Sequence, residues 1–268
     1  MSELPLYVID AFADQAFRGN PAAVCILDPD VPCSDEWMQA VAAEMNLSET
    51  AFVDFSQKSL RWFTPRSEVD LCGHATLATA RALKEHELVA EGDLLEFRTR
   101  SGPLTALVHA GGKIELEFPA TPASELEPVP ELVKLFPGAN FFGQSRFDLL
   151  VELESQQQLE ELEPDFHRLT QLPYRGVIVT APSALPEFDF VSRFFAPAVG
   201  VNEDPVTGSA HCCLAPYWGQ RLASSRMTAA QLSSRKGVIT VELVEDRVRL
   251  TGDTVLVIKG KLFPDAHS

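Results

Sequence analysis

Short apolar blocks separated by turn residues dominate this chain, a pattern that predicts strands more often than helices. Leu6 to Ala11 and Ala22 to Leu27 read as strands, and Phe17-Arg18-Gly19-Asn20-Pro21 between them supplies turn residues, so the chain is expected to open as a hairpin. Trp37, Met38, Val41, Ala42 and Met45 then recur at helical spacing behind Ser34, Asp35 and Glu36, a start suited to a capped helix that runs to Asn46. Strands are predicted again at Glu49 to Phe55 and at Leu60 to Thr64, where Pro65 stops the run. Three more follow near Leu94 to Arg98, Leu104 to His109 and Ile114 to Phe118. The later part of the chain gives strands at Asp148 to Leu153, Val177 to Thr180 and Phe188 to Phe195, a helix from Gly208, and strands from Gly237 to Phe263.

The pattern also repeats. Arg61-Trp62-Phe63-Thr64-Pro65 returns as Arg193-Phe194-Phe195-Ala196-Pro197, and each copy leads into a glycine followed by small residues, Cys72-Gly73-His74-Ala75 and Thr207-Gly208-Ser209-Ala210. Pro65 to Pro197 is a step of 132 and Gly73 to Gly208 a step of 135, each close to half of 268 residues. A repeat at half the chain length implies a duplicated domain. Residues 1–120 are expected to form the first half, 121–140 a connector marked by Pro122, Pro128 and Pro130, and 141–268 the second half. Ala75 to Ala80 and Ala210 to Ala215 are apolar on nearly every face, and a helix of that kind must be surrounded by protein. The expected fold class is therefore α+β, with two pseudo-repeated halves, each a mostly antiparallel sheet or barrel around a central apolar helix, and an interdomain cleft. Both helices begin at a glycine, where free amides and the helix dipole favour an anion, so Gly73 and Gly208 are expected to bind substrate.

Composition narrows the function. A formal charge of −16, from 38 acidic against 22 basic side chains, opposes binding to nucleic acid or to an anionic membrane. Met1-Ser2-Glu3-Leu4-Pro5 has no basic leader character and no long apolar run follows, so a cytoplasmic protein is expected. Five cysteines at 25, 33, 72, 212 and 213 form neither an even framework nor a Cys-x-x-Cys pair, and adjacent His211-Cys212-Cys213 point in different directions on a helix. No metal site is expected. His211 itself is left between core packing and a supporting role at the site.

Four stretches carry a family resemblance: Phe17 to Val24, Asn46-Leu47-Ser48-Glu49-Thr50-Ala51-Phe52, Cys72 to Ala78, and Glu203-Asp204-Pro205-Val206-Thr207-Gly208-Ser209-Ala210-His211. Together they make the chain similar to PhzF-like proteins, named for phenazine biosynthesis, from near residue 6 to near residue 260. The resemblance implies the diaminopimelate epimerase-like fold, a homodimer, and isomerisation without a cofactor, in which a proton leaves one carbon of a small carboxylate-bearing substrate and returns elsewhere. It assigns proton transfer to Glu49, and places His74, Asp204 and Ser209 around the substrate as catalytic groups. A carboxylate shielded from water is expected to be a better proton shuttle near neutral pH.

One departure matters. Ser67-Glu68-Val69-Asp70-Leu71-Cys72-Gly73 resembles the first cysteine motif of diaminopimelate epimerase, but the matching place in the other half holds Thr207. A two-thiol racemase needs both cysteines, so Cys72 is expected to be structural. Two other readings stay open: a lyase using the same proton abstraction, and a non-catalytic binder of small anions. Phenazine synthesis itself does not follow from motifs that describe proton chemistry.

Overall fold

A computed structural model describes residues 3–264. It shows a mixed α+β fold dominated by sheet, with few helices and, among the described residues, no closed barrel. The chain divides into two compact units, one formed by Met1–Glu117 with Thr251–Ser268 and the other by Phe118–Leu250.

In the first unit, Leu4–Ala11 pairs antiparallel with Asn20–Ile26, the predicted hairpin, although Asn20 and Pro21 belong to the strand and not to the turn. Asp35–Met45 is a helix capped by Ser34, whose Oγ accepts from the Trp37 amide at 3.1 Å, and closed by Asn46 at φ +49°. This helix is a crossover, because Glu49–Asp54 returns parallel to Asn20–Ile26. Ser59–Phe63 then pairs antiparallel with Glu49–Asp54. Leu4, Leu6, Val8, Ala23, Cys25 and Phe52 pack with Met38 and Ala42 of the crossover helix. Alternate strand residues, among them Tyr7, Ile9, Ala22, Val24 and Ala51, are also buried, and the second helix, Gly73–Glu85, packs against these strands and against Gly102–Val108 and Thr254–Leu262. Burial on both faces explains why these strands read as continuous apolar runs.

The second unit repeats that order. Asp148–Leu153 and Gly176–Pro182 are parallel, joined through the short helices Gln156–Glu161 and Phe166–Leu169, and Phe190–Phe195 follows antiparallel. The long apolar helix is Gly208–Leu222. Pro216 lies inside it and cannot donate to the Cys212 carbonyl, which accepts instead from the Thr121 amide at 3.0 Å. Trp218 stacks on Phe190 with ring centroids 5.6 Å apart, and its Nε1 donates to Thr180 Oγ1 at 2.9 Å.

The repeated arginine motif has a structural explanation. Arg61 makes a two-pronged pair with Glu68 at 2.8 and 2.7 Å, and Arg193 makes the same pair with Glu203 at 2.8 and 3.0 Å. Each guanidinium also lies over a phenylalanine, Phe63 or Phe195. Planar pairs of this kind fix geometry as well as charge, and here they tie a strand to the segment that leads into the long apolar helix.

Two boundaries differ from expectation. The last strand, Thr254–Leu262, pairs antiparallel with Leu4–Ala11, so the end of the chain completes the first unit and not the second. Leu4–Ala11 has two edges to satisfy, and local sequence similarity carries no information about which distant strand fills the second. The connector at 121–140 is also folded: Pro130 starts the helix Pro130–Leu135, and Leu132 and Phe136 enter the core of the second unit. The strands Ala139–Gln144 and Arg226–Gln231 were not anticipated. Met1 and Ser2, part of the leader reading, lie outside the described residues. Among the described residues no helix is long and apolar enough to cross a membrane.

Gly19 sets the opening hairpin. Its φ is +63°, and a Cβ there would stand 2.1 Å from the Ala11 carbonyl oxygen and 2.9 Å from the Ala13 Cβ. Gly19→Ala is expected to cost about 2 kcal/mol, from the left-handed backbone and the displacement of Ala11 together. Urea unfolding measures it; a loss within about 0.5 kcal/mol of zero, the range of a neutral surface change, would contradict the assignment.

Candidate functional site

Glu49 is the first residue of the strand Glu49–Asp54, and His74 is the second residue of the helix Gly73–Glu85. The two meet: His74 Nε2 lies 3.2 Å from Glu49 Oε2, with side chains only 7% and 19% exposed. Among the described residues no other donor hydrogen-bonds that oxygen, and the contact has the geometry of an ion pair more than of a directed hydrogen bond. On the other side of the ring, Cys72 Sγ lies 3.6 Å from His74 Nδ1. Burial alone would push the imidazole down, but the Cys72 sulfur and the Glu49 carboxylate outweigh it and hold His74 well above its ordinary range. Burial, and after it the Glu49 carboxylate, raise the Cys72 thiol above its ordinary value, while His74 opposes them.

Cys72 stands at the cap position of the helix without a side-chain cap bond. The Ala75 amide is directed at the Cys72 sulfur, and the first turn sits at the positive end of the helix dipole. Thr76 and Thr79, buried further along, satisfy their hydroxyls on the carbonyls of Cys72 and Ala75, both at 2.7 Å.

The second unit gathers Asp204, Gly208 and Ser209 at the start of Gly208–Leu222. Asp204 Oδ2 accepts from Thr207 Oγ1. Gln231, fully buried, holds this segment: its Oε1 accepts from the Thr207 amide at 2.9 Å and its Nε2 donates to the Asp204 carbonyl at 2.7 Å. Ser209 Oγ accepts from Arg175 Nη2 at 3.0 Å, and Arg175 is itself held by buried Asp148 through Nε at 2.9 Å. A Cβ on Gly208 would press on Leu250 Cδ1 at 3.3 Å, which gives that glycine a packing reason as well.

His211 lies behind this segment. It is fully buried against Phe190, and Nδ1 donates to the Thr207 carbonyl at 2.8 Å while Nε2 has no hydrogen-bond partner among the described residues. Burial pushes this imidazole down to about 4, so it is neutral at pH 7. Cys212 and Cys213 are pushed up to about 12 by burial and remain thiols.

Three positioning groups escaped sequence reasoning. Asp148 was visible only as an acid opening an apolar strand, and Arg175 as a lone base before another. Gln231 ends a strand whose small residues gave no strong pattern. Cys72, expected to be structural, has its sulfur against the histidine that pairs with Glu49.

Known proteins resemble this chain over nearly its whole length. The profile of the family described as phenazine biosynthesis-like protein, PhzC-PhzF, matches residues 9–260. A Halalkalibacterium halodurans protein named an uncharacterized isomerase is 50% identical over 270 residues, which is 98% of this chain and 99% of that protein. The crystal structure of a PhzF-family phenazine biosynthesis protein of Enterococcus faecalis superposes with a TM-score of 0.91 at 42% identity, covering 98% of this chain and 100% of that one. A Pseudomonas aeruginosa structure described as a predicted epimerase shares the fold, with a TM-score of 0.75 at 19% identity and coverage of 98% and 100%.

Proposed function

Because this chain belongs to the phenazine biosynthesis-like PhzF family, with its diaminopimelate epimerase-like fold, we propose that it is an isomerase that moves a proton on a small carboxylate-bearing substrate without a cofactor. The observation that carries the reading is the shielded Glu49 carboxylate, 3.2 Å from a histidine at the uncapped start of an apolar helix. A carboxylate with one oxygen beside an imidazolium and little water around it can take a proton from carbon and return it. His74 holds the carboxylate in place and balances its charge between the two steps. The positive end of the dipole at the start of Gly73–Glu85 suits a substrate carboxylate or a developing oxyanion. Asp204 and Ser209 keep the substrate-contacting roles that the family motif implies, their orientation set by Gln231 and Arg175.

The relative from Halalkalibacterium halodurans is named an isomerase, and that name supports the same class here. A paired-thiol mechanism is not part of the reading, since Thr207 occupies the place that would require the second cysteine.

A panel of aromatic and amino-acid-derived carboxylates, incubated with the protein in water and in D2O and followed by mass spectrometry, tests the class. The expected product has the mass of its substrate in water and carries solvent deuterium in D2O. A product of lower mass would identify elimination and reject the isomerase.

A further inference from the structure

Glu49, Cys72 and His74 bring three different donor atoms, an oxygen, a sulfur and a nitrogen, to within 4.8 Å of one another. Cys72, at the helix cap, stands 23 positions after Glu49, at the strand start, so no spacing motif announces them. The set matches the chemistry of zinc-type sites, which take thiolate, imidazole and carboxylate in fours, or in threes with one position open.

The distances allow a sharper comparison. Bonds of about 2.3 Å to sulfur, about 2.05 Å to nitrogen and about 2.1 Å to oxygen at a tetrahedral centre would space sulfur and nitrogen by about 3.6 Å, and nitrogen and oxygen by about 3.4 Å. In this structure Cys72 Sγ and His74 Nε2 are 4.0 Å apart, and His74 Nε2 and Glu49 Oε2 are 3.2 Å apart. Shifts of a few tenths of an ångström convert one arrangement to the other. Among the described residues Glu49 Oε2 makes no hydrogen bond, and what a metal would replace is its ion pair with His74, the imidazolium and thiol protons passing to solvent as the cation binds. Charge fits as well, because a thiolate and a carboxylate together neutralise a divalent cation in a poorly solvated place.

We propose that Glu49, Cys72 and His74 form a three-ligand site for a zinc-type divalent cation, and that occupation of this site inhibits the protein. The inhibitory half rests on the assignment of Glu49 to proton transfer, since a metal on Oε2 and Nε2 occupies the groups that would handle the proton. The binding half does not.

The test uses Co2+ as the probe on the full chain after treatment with a chelator. Binding through Cys72 is expected to give a thiolate-to-cobalt absorption band that saturates at one equivalent and is bleached by Zn2+. Cys72→Ala should abolish the band, and His74→Ala and Glu49→Gln should each weaken Co2+ binding by at least about tenfold, the lower end of what even supporting contacts to a metal ligand contribute. Cys212→Ala/Cys213→Ala should leave the band unchanged, and circular dichroism establishes that each variant is folded. Absence of a thiolate band at one equivalent in the wild-type protein, or a band that persists in folded Cys72→Ala, would overturn the site. Stoichiometric binding with a wild-type rate of turnover would overturn the inhibition, and with it the role given to Glu49, while leaving the metal site in place.

Discussion

Glu49→Gln is expected to lower turnover at least about 100-fold while leaving the protein folded and able to bind substrate. General acid–base catalysis by a side chain contributes about 10²–10⁴-fold, and an amide of the same size cannot carry a proton at neutral pH. Folding should survive because Glu49 Oε2 makes no hydrogen bond among the described residues and the side chain remains 19% exposed. The substitution has a second readout independent of substrate. The carboxylate helps to hold the His74 imidazolium above its ordinary range, so His74 should titrate at lower pH in the variant, as followed by NMR of the ring protons. Turnover within about threefold of wild type would remove Glu49 from the reaction.

The second large effect is on stability in acid. His211 titrates at about 4 in the folded protein against an ordinary 6.5, because the ring is buried among apolar groups. Its folded pKa is depressed, so the unfolded chain binds the proton first as pH falls. Above 6.5 both states are neutral at this position and there is no penalty. Below that the unfolded state gains a proton that the folded state refuses, and stability drops until the folded pKa is passed. A shift of this size corresponds to about 3 kcal/mol, lost between roughly pH 6.5 and 4. His211→Leu gives up the hydrogen bond to the Thr207 carbonyl and should be less stable at pH 7, yet its stability should fall less steeply over the same window. Urea unfolding of both proteins across that range decides the point: parallel pH profiles would show that His211 takes up its proton without unfolding.

Much of this architecture was legible in the sequence, and the reasons are local. Ser34 and Asn46 bracket the helix they were expected to bracket, since capping needs only neighbouring residues. The long apolar helices at Gly73 and Gly208 followed from small residues on every face. The repeated arginine announced a duplicated unit, though its job became visible only once Glu68 and Glu203 were seen beside it. What stayed hidden is non-local. Thr254–Leu262 returns to Leu4–Ala11 across almost the whole chain, and Gln231 reaches back to the loop that holds Asp204. Prolines at 122, 128 and 130 read as a connector, because proline marks both extended chain and the first turn of a helix.

The candidate site shows the same division. Glu49 and His74 were named from separate motifs, and the structure supplies the contact between them. Cys72 was set aside because its repeat partner is Thr207, an argument about pairs of thiols that says nothing about a thiol beside a histidine. The folded arrangement gives Cys72 two neighbours that no spacing rule connects.

The central claim is that Glu49 carries the proton, and hydrogen exchange at the substrate carbon tests it most directly. A carboxylate converted in the panel is incubated in D2O with the wild-type protein and with Glu49→Gln, and deuterium in the recovered substrate and product is followed over time. The account predicts exchange by the wild-type protein and exchange at least about 100-fold slower by the variant. Exchange by Glu49→Gln within about threefold of the wild-type rate would contradict it.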